Sequence, residues 1–490
     1  MSRVVLAQAM TLPGVTGEIA AVCDDSRRVE SGDLFLLLPH AGARNLDASA
    51  SDYLRQAVDF GAMAVLSVGA NAALKRLFGE VPHIALDTMD EAGHWLRRLL
   101  GTVNAYPRCF GITGTDGKTS IAWMVRVALA RLLGSAWSLG TLGWIRAADQ
   151  VSPLANTTPS LLMQHRVLAE AGRKAVGALV CEVSSHAIAQ QRIAGIPFSA
   201  ALWSTVGRDH LEDHGGWDRY LALKAGFLER EVAQGGVVVA NGDQSALWSA
   251  LEKIADQVFW YGRGDRVNHG SLNLRWQPQG ADAVWLEHGD ARLLVENIPA
   301  GEFHQENCAA AAALLLHAGV ADFATVAHAL AQMPPPPGRM ESIAAGIYLD
   351  YAHTPEALRA LLATARKLCR GQLLLVFGCG GGRDAAKRPL MGEIAARGAD
   401  RCWLTRDNCR SEQPEVIAEQ VLAGMADSHA AVVVELDRAV AIAQAVATKG
   451  ADDLVLIAGK GREPYMDEGG VRTPWSDADC VQRGLEQACR

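Results

Sequence analysis

The ten residues GITGTDGKTS, positions 111–120, close one apolar run and open another, IAWMVRVALARLL. A strand, a glycine loop and a helix in that order suit phosphate. Glycines let backbone N–H groups close on the oxygens, a lysine adds a point charge, and a hydroxyl at the helix N-terminus meets Mg2+. Gly114, Thr115, Asp116, Gly117, Lys118, Thr119 and Ser120 form the candidate cradle, with five residues rather than four between Gly111 and Gly117. A glycine-rich turn with a solvated lysine has a similar sequence. The strand before it, the helix after it and Lys-Thr at the junction favour a nucleotide triphosphate.

Further along, CEVSSHAIAQQR sets Glu182 at the end of an apolar strand, where a carboxylate faces a metal or phosphate as readily as solvent. The stretch GRDHLEDHGGWDRYLALKAGFL holds His210 among acids and Lys224 on a helix with apolar neighbours. A histidine among carboxylates is more often a surface hydrogen-bonder than a ligand. A lone lysine on an amphipathic helix is usually solvated. By residue type alone, the metal chemistry stays open.

The elements that must position these residues follow from the rest of the chain. Its 490 residues, 49% hydrophobic and 20% charged, allow about three domains. Residues 1–103 alternate short apolar strands with helical stretches and read as a small α/β domain. Residues 104–337 read as a mostly parallel sheet of P-loop type, with strands in VGALVCEVSS, FSAALWSTV and GGVVVAN. Four consecutive prolines in AQMPPPPGRME cannot be helical and mark a stiff linker. Residues 338–490 repeat strand and helix as a doubly wound, Rossmann-like α/β domain, whose ligands belong beyond the carboxyl ends of the strands. The N-terminus has no convincing signal-peptide core and no segment reaches ~18 uninterrupted apolar residues, so a cytoplasmic enzyme is expected. Ten scattered cysteines without a CxxC pair suit reduced thiols, and a net charge of -8 argues against nucleic-acid binding.

The succession GTDGKT, NTTPS, EVSSHA, DHLEDHG with YLALKAGF, GRME, DYAHTPEAL, GCGGGRDAAKRPLMG, DNCRSEQP and GKGREPY resembles the Mur ligases, from about residue 24 to about residue 466. Within them it is most similar to the branch that adds meso-diaminopimelate to UDP-N-acetylmuramoyl-L-alanyl-D-glutamate in peptidoglycan synthesis. The resemblance implies that Ser26 with Arg27 receives the uridine nucleotide. Thr157, Thr158, Ser184, Gln190 and Arg192 would contact the nucleotide-sugar and its peptide. Lys118 and Thr119 match the ATP phosphate loop, with Asn307, Arg339 and Asp350 completing that site. Thr119, Glu182 and His210 match Mg2+ ligands. Lys224 matches a lysine that the family carbamylates, which would turn an ammonium that repels Mg2+ into a hard oxygen donor. Arg383, Asp407, Asn408, Arg410, Gly459 and Glu463 match the positions that hold diaminopimelate. Among these, Arg410 would select the distal carboxylate with its guanidinium fork.

The implied reaction moves the γ-phosphoryl group of ATP onto the D-glutamate side-chain carboxylate. The diaminopimelate amine then attacks the acyl phosphate and phosphate leaves. ATP is thus a co-substrate, Mg2+ a cofactor, and the enzyme is expected to work as a monomer, with domain closure before reaction. No general base is evident: His353 lies near the expected place, with an ATP-site or structural role equally open. The chain departs from the family's pattern at Cys409 for proline, Arg462 for histidine, Gly382 for aspartate and His304 for asparagine. Cys409 frees a φ that proline would fix, so the 408–410 loop is expected to be more mobile. A lysine-adding ligase of the family, a folylpolyglutamate synthetase and a non-enzymatic nucleotide-dependent scaffold are the competing readings. Arg410 argues against the first, and residues 1–103 argue against the second. The joint presence of metal and acceptor residues argues against the third.

Overall fold

A computed structural model describes residues 2–12, 15–39, 49–70, 76, 81–207, 214–264, 266–267, 270–382, 384–426 and 430–488. Three sheets, one after another along the chain, give an α/β fold of three parts. The first has five strands in sequence order, Arg3–Met10, Ile19–Cys23, Asp33–Leu37, Ala64–Val68 and His83–Leu86, with only the first pairing antiparallel. Its helix Met89–Leu99 lies so close to the central part that a Cβ on Gly93 would sit 2.4 Å from the Ala194 carbonyl oxygen.

The central sheet has eleven strands. Its parallel heart runs Leu274–Gln279, Val258–Gly262, Val237–Asn241, Phe198–Trp203, Arg108–Thr113, Ala178–Glu182 and Ala136–Gly140. Strands Ala283–His288 and Ala291–Val295 extend one edge antiparallel, and Gly143–Ala147 and Gln150–Ser152 extend the other. The strands Val237–Asn241, Phe198–Trp203, Arg108–Thr113 and Ala178–Glu182 are almost wholly buried, as cover by helices on both faces requires. One covering helix, Glu302–His317, carries the run CAAAAALL, residues 308–315, and no residue of it is more than 1% exposed. Small alanines let its backbone approach the sheet, and Leu314 and Leu315, fully buried, each contribute about 1.5–3 kcal/mol.

The third sheet runs Glu341–Ala344, Ile347–Asp350, Leu454–Ala458, Leu373–Phe377, Arg401–Leu404 and Ala431–Val434, parallel except for the first strand. The helix Pro355–Leu368 starts where sequence chemistry dictates: Thr354 accepts the Ala357 N–H, and Pro355 supplies a preset φ without an orphan donor. The phosphate loop, the loop after Glu182 and the loops that carry His353, Gly380, Asn408 and Gly459 each leave the carboxyl end of a parallel strand in one of the two larger sheets, whereas NTTPS follows the antiparallel edge strand Gln150–Ser152. Between those sheets the proline run is irregular, as four prolines require. Among the described residues no helix is long and apolar enough to cross a membrane.

Candidate active site

The phosphate loop leaves strand Arg108–Thr113 and ends as the N-cap of helix Lys118–Leu133. Gly114 at φ 150° and Gly117 at φ 85° need glycine twice over. Apart from the backbone angle, a Cβ on Gly114 would lie 2.0 Å from Ser204 Oγ, and one on Gly117 would lie 2.7 Å from Asn307 Oδ1. That second distance sets Asn307 against the loop. Lys118 Nζ donates to the carbonyls of Gly114 (2.9 Å) and Thr115 (2.7 Å), which aims the ammonium along the loop.

Glu182, at the end of its strand, is 2% exposed. It accepts hydrogen bonds from Thr119 Oγ1 at 2.9 Å and from the Thr141 N–H at 2.9 Å. Burial pushes its carboxyl above the ordinary value, although Lys118, Thr119, Thr141 and Arg339 oppose the shift. Arg339 crosses from the C-terminal side, Nη2 donating to Thr119 Oγ1 at 3.2 Å and the guanidinium lying 4.6 Å over the Tyr351 ring. Lys224, 1% exposed, joins the same loop indirectly. Its Nζ donates to Tyr220 Oη at 2.7 Å, and Tyr220 Oη lies 2.9 Å from Thr115 Oγ1. His210 lies outside the described residues.

Asp350 takes a different position from its neighbours in the sequence argument. Its two carboxylate oxygens accept the N–H groups of Met340 and Ala352, each at 2.7 Å, and it does not line the cleft. It fastens the turn that carries Arg339, and Met340 in that turn has φ 47°.

The C-terminal wall is a lattice of side chains. Asn408 Nδ2 donates to Glu463 Oε2 at 2.7 Å, and Asn408 Oδ1 accepts from Lys460 Nζ at 3.0 Å and from the Asp467 N–H at 2.8 Å. Lys460 is wholly buried and donates to Glu463 at 2.5 Å. Burial would raise the Asp407 carboxyl, but Lys460, Arg438 and the Asn408 N–H outweigh it and hold Asp407 below the usual carboxylate range. Gly459, at φ 109°, leaves room for it, since a Cβ there would be 2.6 Å from Asp407 Oδ2. Arg410 sits at φ 51°, held by its N–H to Asp467 O (3.0 Å) and by its carbonyl from Gly469 N–H (2.6 Å). Its guanidinium donates to Gly381 O. Cys409 is 3% exposed, its Sγ donating to Asp407 O at 3.3 Å, and Asn408 O accepts from Gly381 N–H at 2.9 Å. The loop that lacks proline is thus fastened on both sides rather than loose. Arg383 lies outside the described residues.

Two clefts result. One of about 440 Å³ is lined by the phosphate loop, Thr157, Ser184, Arg192, Arg339, Asp407, Asn408, Arg410, Gly459 and Glu463. His353 also lines it, with Nδ1 donating to Tyr351 O at 2.8 Å. The other, about 580 Å³, lies between the N-terminal and central parts and holds Ser26, Arg27, Gln190 and Arg192. Ser26 Oγ donates to Gln56 Oε1 at 2.7 Å, while Arg27 is exposed and paired with Asp25. Arg192 belongs to both clefts, and its Nη1 donates to Thr158 O at 2.9 Å. Thr158, itself buried, donates to Glu182 O at 2.7 Å. Arg192 thus stands between the cleft at Ser26 and the cleft at the phosphate loop.

Several of these residues escaped the sequence reading. Tyr220 stands four residues before Lys224 in the sequence, a one-turn helical spacing that could have drawn it in. Thr141 and Gly140 sit in SLGTLGW, a strand-end glycine turn with no charged residue to mark it. Lys460 follows Gly459 directly, but its burial is a tertiary fact.

Residues 112–315 match the model of the Mur ligase middle domain, and residues 338–461 that of the Mur ligase glutamate ligase domain. The chain is 34% identical over 509 residues, 99% of its own length and 98% of the relative's, to the UDP-N-acetylmuramoyl-L-alanyl-D-glutamate–2,6-diaminopimelate ligase of Xanthomonas campestris pv. campestris. It is 36% identical over 485 residues, 95% of each chain, to the protein of the same name from Alkalilimnicola ehrlichii. A solved ligase of that name superposes with a TM-score of 0.65 at 28% identity, covering 96% of this chain and 95% of the other. Folylpolyglutamate synthase from Thermotoga maritima shares the fold at 16% identity and a TM-score of 0.56, over 76% of this chain and 90% of its own.

Proposed function

The chain belongs to the Mur ligase family, ATP-dependent ligases that form amide bonds on peptidoglycan precursors, and we propose that this member adds meso-diaminopimelate to UDP-N-acetylmuramoyl-L-alanyl-D-glutamate. The observation that carries the choice of amine is Arg410 on the cleft wall, across from the phosphate loop and beside Asn408, Asp407 and Glu463. A guanidinium fork suits the distal carboxylate of diaminopimelate, and the neighbouring acids suit its ammonium groups. The bare distal ammonium of lysine would meet like charge. The left-handed backbone of Arg410 costs about 1–3 kcal/mol and persists because the loop over-determines it, as at sites where a side chain must be aimed.

The two linked clefts support a long anionic substrate. Its nucleotide end would lie by Ser26 and Arg27, and its peptide would pass Arg192, Thr157 and Ser184 with the D-glutamate carboxylate at the phosphate loop. Lys118 and the helix N-terminus behind it would draw the γ-phosphoryl group toward that carboxylate, with Arg339 adding positive charge from the other side. The acyl phosphate gives the amine a good electrophile, and attack expels phosphate. Glu182, a buried carboxylate whose burial is not fully offset, and the Thr119 hydroxyl form an oxygen donor set that fits Mg2+. His210 and a carbamate on Lys224 would complete the set. Bound there, Mg2+ would offset charge on the transferring phosphoryl group. Asp350 acts one step removed, by holding the Arg339 turn.

Arg410→Ala tests the assignment. Steady-state kinetics should give a KM for diaminopimelate raised at least about tenfold, the scale of a lost charge-assisted pair, with the KM for ATP unchanged. Unaltered diaminopimelate kinetics would remove Arg410 from the acceptor site.

A further inference from the structure

Arg462 stands where the family's pattern has histidine, and its side chain is not part of either cleft. It reaches back 121 residues to Glu341 in a bidentate pair, Nε to Oε2 at 2.8 Å and Nη2 to Oε1 at 2.6 Å. Glu341 Oε2 also accepts the Gly338 N–H at 2.6 Å. The two backbones touch at the same place. A Cβ on Gly338 would lie 2.6 Å from the Arg462 nitrogen, and one on Gly461 would lie 2.7 Å from Gly338 O. Burial favours a protonated Glu341, but Arg462 and the Gly338 N–H outweigh it and keep the carboxyl below its ordinary value.

Both joined segments carry working residues. On one side Lys460 and Glu463 build the C-terminal wall with Asn408. On the other, Arg339 follows Gly338 directly and donates to Thr119 of the phosphate loop. We propose that Arg462 is a positioning residue: through Glu341 it ties the 459–463 loop to the Arg339 turn, so that the C-terminal wall sets the grip on the nucleotide phosphates. A turn pinned before nucleotide arrives loses less conformational freedom on binding. The inference rests on the proposed acceptor site only for the role of the 459–463 loop, since its nucleotide side follows from ATP dependence.

The test is equilibrium binding of a fluorescent ATP analogue with Mg2+ to the full chain and to Arg462→Ala, Arg462→Lys, Glu341→Gln and the Arg462→Ala/Glu341→Gln double variant. Arg462→Ala and Glu341→Gln should each weaken binding about two- to fivefold, the scale of a half-exposed bidentate pair. The double variant should be no weaker than the singles, because one shared contact is lost only once. Arg462→Lys should retain part of the affinity. Wild-type affinity in both single variants, or losses that add in the double variant, would overturn the proposal. No amine enters this measurement, so failure of the diaminopimelate assignment would show separately, as absent turnover beside an intact binding result.

Discussion

Glu182 has room for its carboxylate because residue 140 is glycine. A Cβ there would lie 2.0 Å from Glu182 Oε1 and 2.6 Å from its Cδ, closer than van der Waals contact permits. Gly140→Ala must therefore displace the carboxylate from Thr119 and Thr141, at an overpacking cost of about 1–3 kcal/mol. We expect kcat to fall at least about tenfold and the Mg2+ concentration for half-maximal rate to rise, with the fold retained by circular dichroism. Unchanged Mg2+ dependence would detach Glu182 from the cation. Lys224 makes a second prediction. Lys224→Ala should nearly abolish turnover, and formate or bicarbonate should partly restore it by standing in for the carbamate oxygens. Full activity without rescue would remove Lys224 from the metal site. At this scale the motifs were legible wherever chemistry and spacing coincide, as in Lys118-Thr119 and Asn408 to Arg410. The motif suggested Asp350 for the ATP site, but its two partners are backbone N–H groups, which no side-chain pattern reveals.

The loops at the strand ends owe their shape to pairs beneath them. Arg388 is wholly buried and donates Nη1 and Nη2 to the Glu412 oxygens at 2.8 and 2.9 Å, and Nη2 also reaches Gly380 O at 3.2 Å. Glu412 accepts the Gly382 N–H at 2.5 Å as well, so one ion pair clamps the 380–382 loop against the loop that carries Arg410. Arg388 first, then the Gly382 N–H, hold the Glu412 carboxyl down to about 2 from its ordinary 4.5. A depressed folded value means stability that is fully present above about pH 4.5 and lost as pH falls toward 2. The side chain is 32% exposed, so solvent screening reduces the effect. Melting temperatures of wild type and Glu412→Gln should differ most above pH 4.5 and converge below it. A gap that stays constant with pH would contradict the linkage. Among the elements themselves, strands read from continuous apolar runs, in VGALVCEVSS, FSAALWSTV and GGVVVAN, lie where the sequence put them, at Ala178–Glu182, Phe198–Trp203 and Val237–Asn241. The antiparallel edge strands escaped because half-exposed edges carry no such run, and Pro278 inside Leu274–Gln279 argues against a strand until it is known that only Leu274 and Arg275 pair with Val258–Gly262, which leaves Pro278 paired on one side alone.

Across the whole molecule, function depends on contacts that join distant parts of the chain. Arg339 meets Thr119 from 220 residues away, Ser160 Oγ donates to Asp24 Oδ2 at 2.8 Å across the first boundary, and Arg192 stands where the two clefts meet. The order of motifs revealed the three-part α/β fold and the ligase chemistry. It could not reveal which loops face each other, because pairs such as Arg462 with Glu341 are set by how the sheets dock rather than by local pattern. The proposed reaction makes one strong demand: the peptide end of the precursor, ATP and an amino acid with a distal carboxylate would converge on the cleft whose wall carries the Arg410 guanidinium. The most direct measurement is ADP release by the purified chain with UDP-N-acetylmuramoyl-L-alanyl-D-glutamate, ATP and Mg2+, offered meso-diaminopimelate or L-lysine, with the product identified by mass. Turnover confined to diaminopimelate is the predicted result, and turnover with lysine at comparable kcat/KM would contradict it.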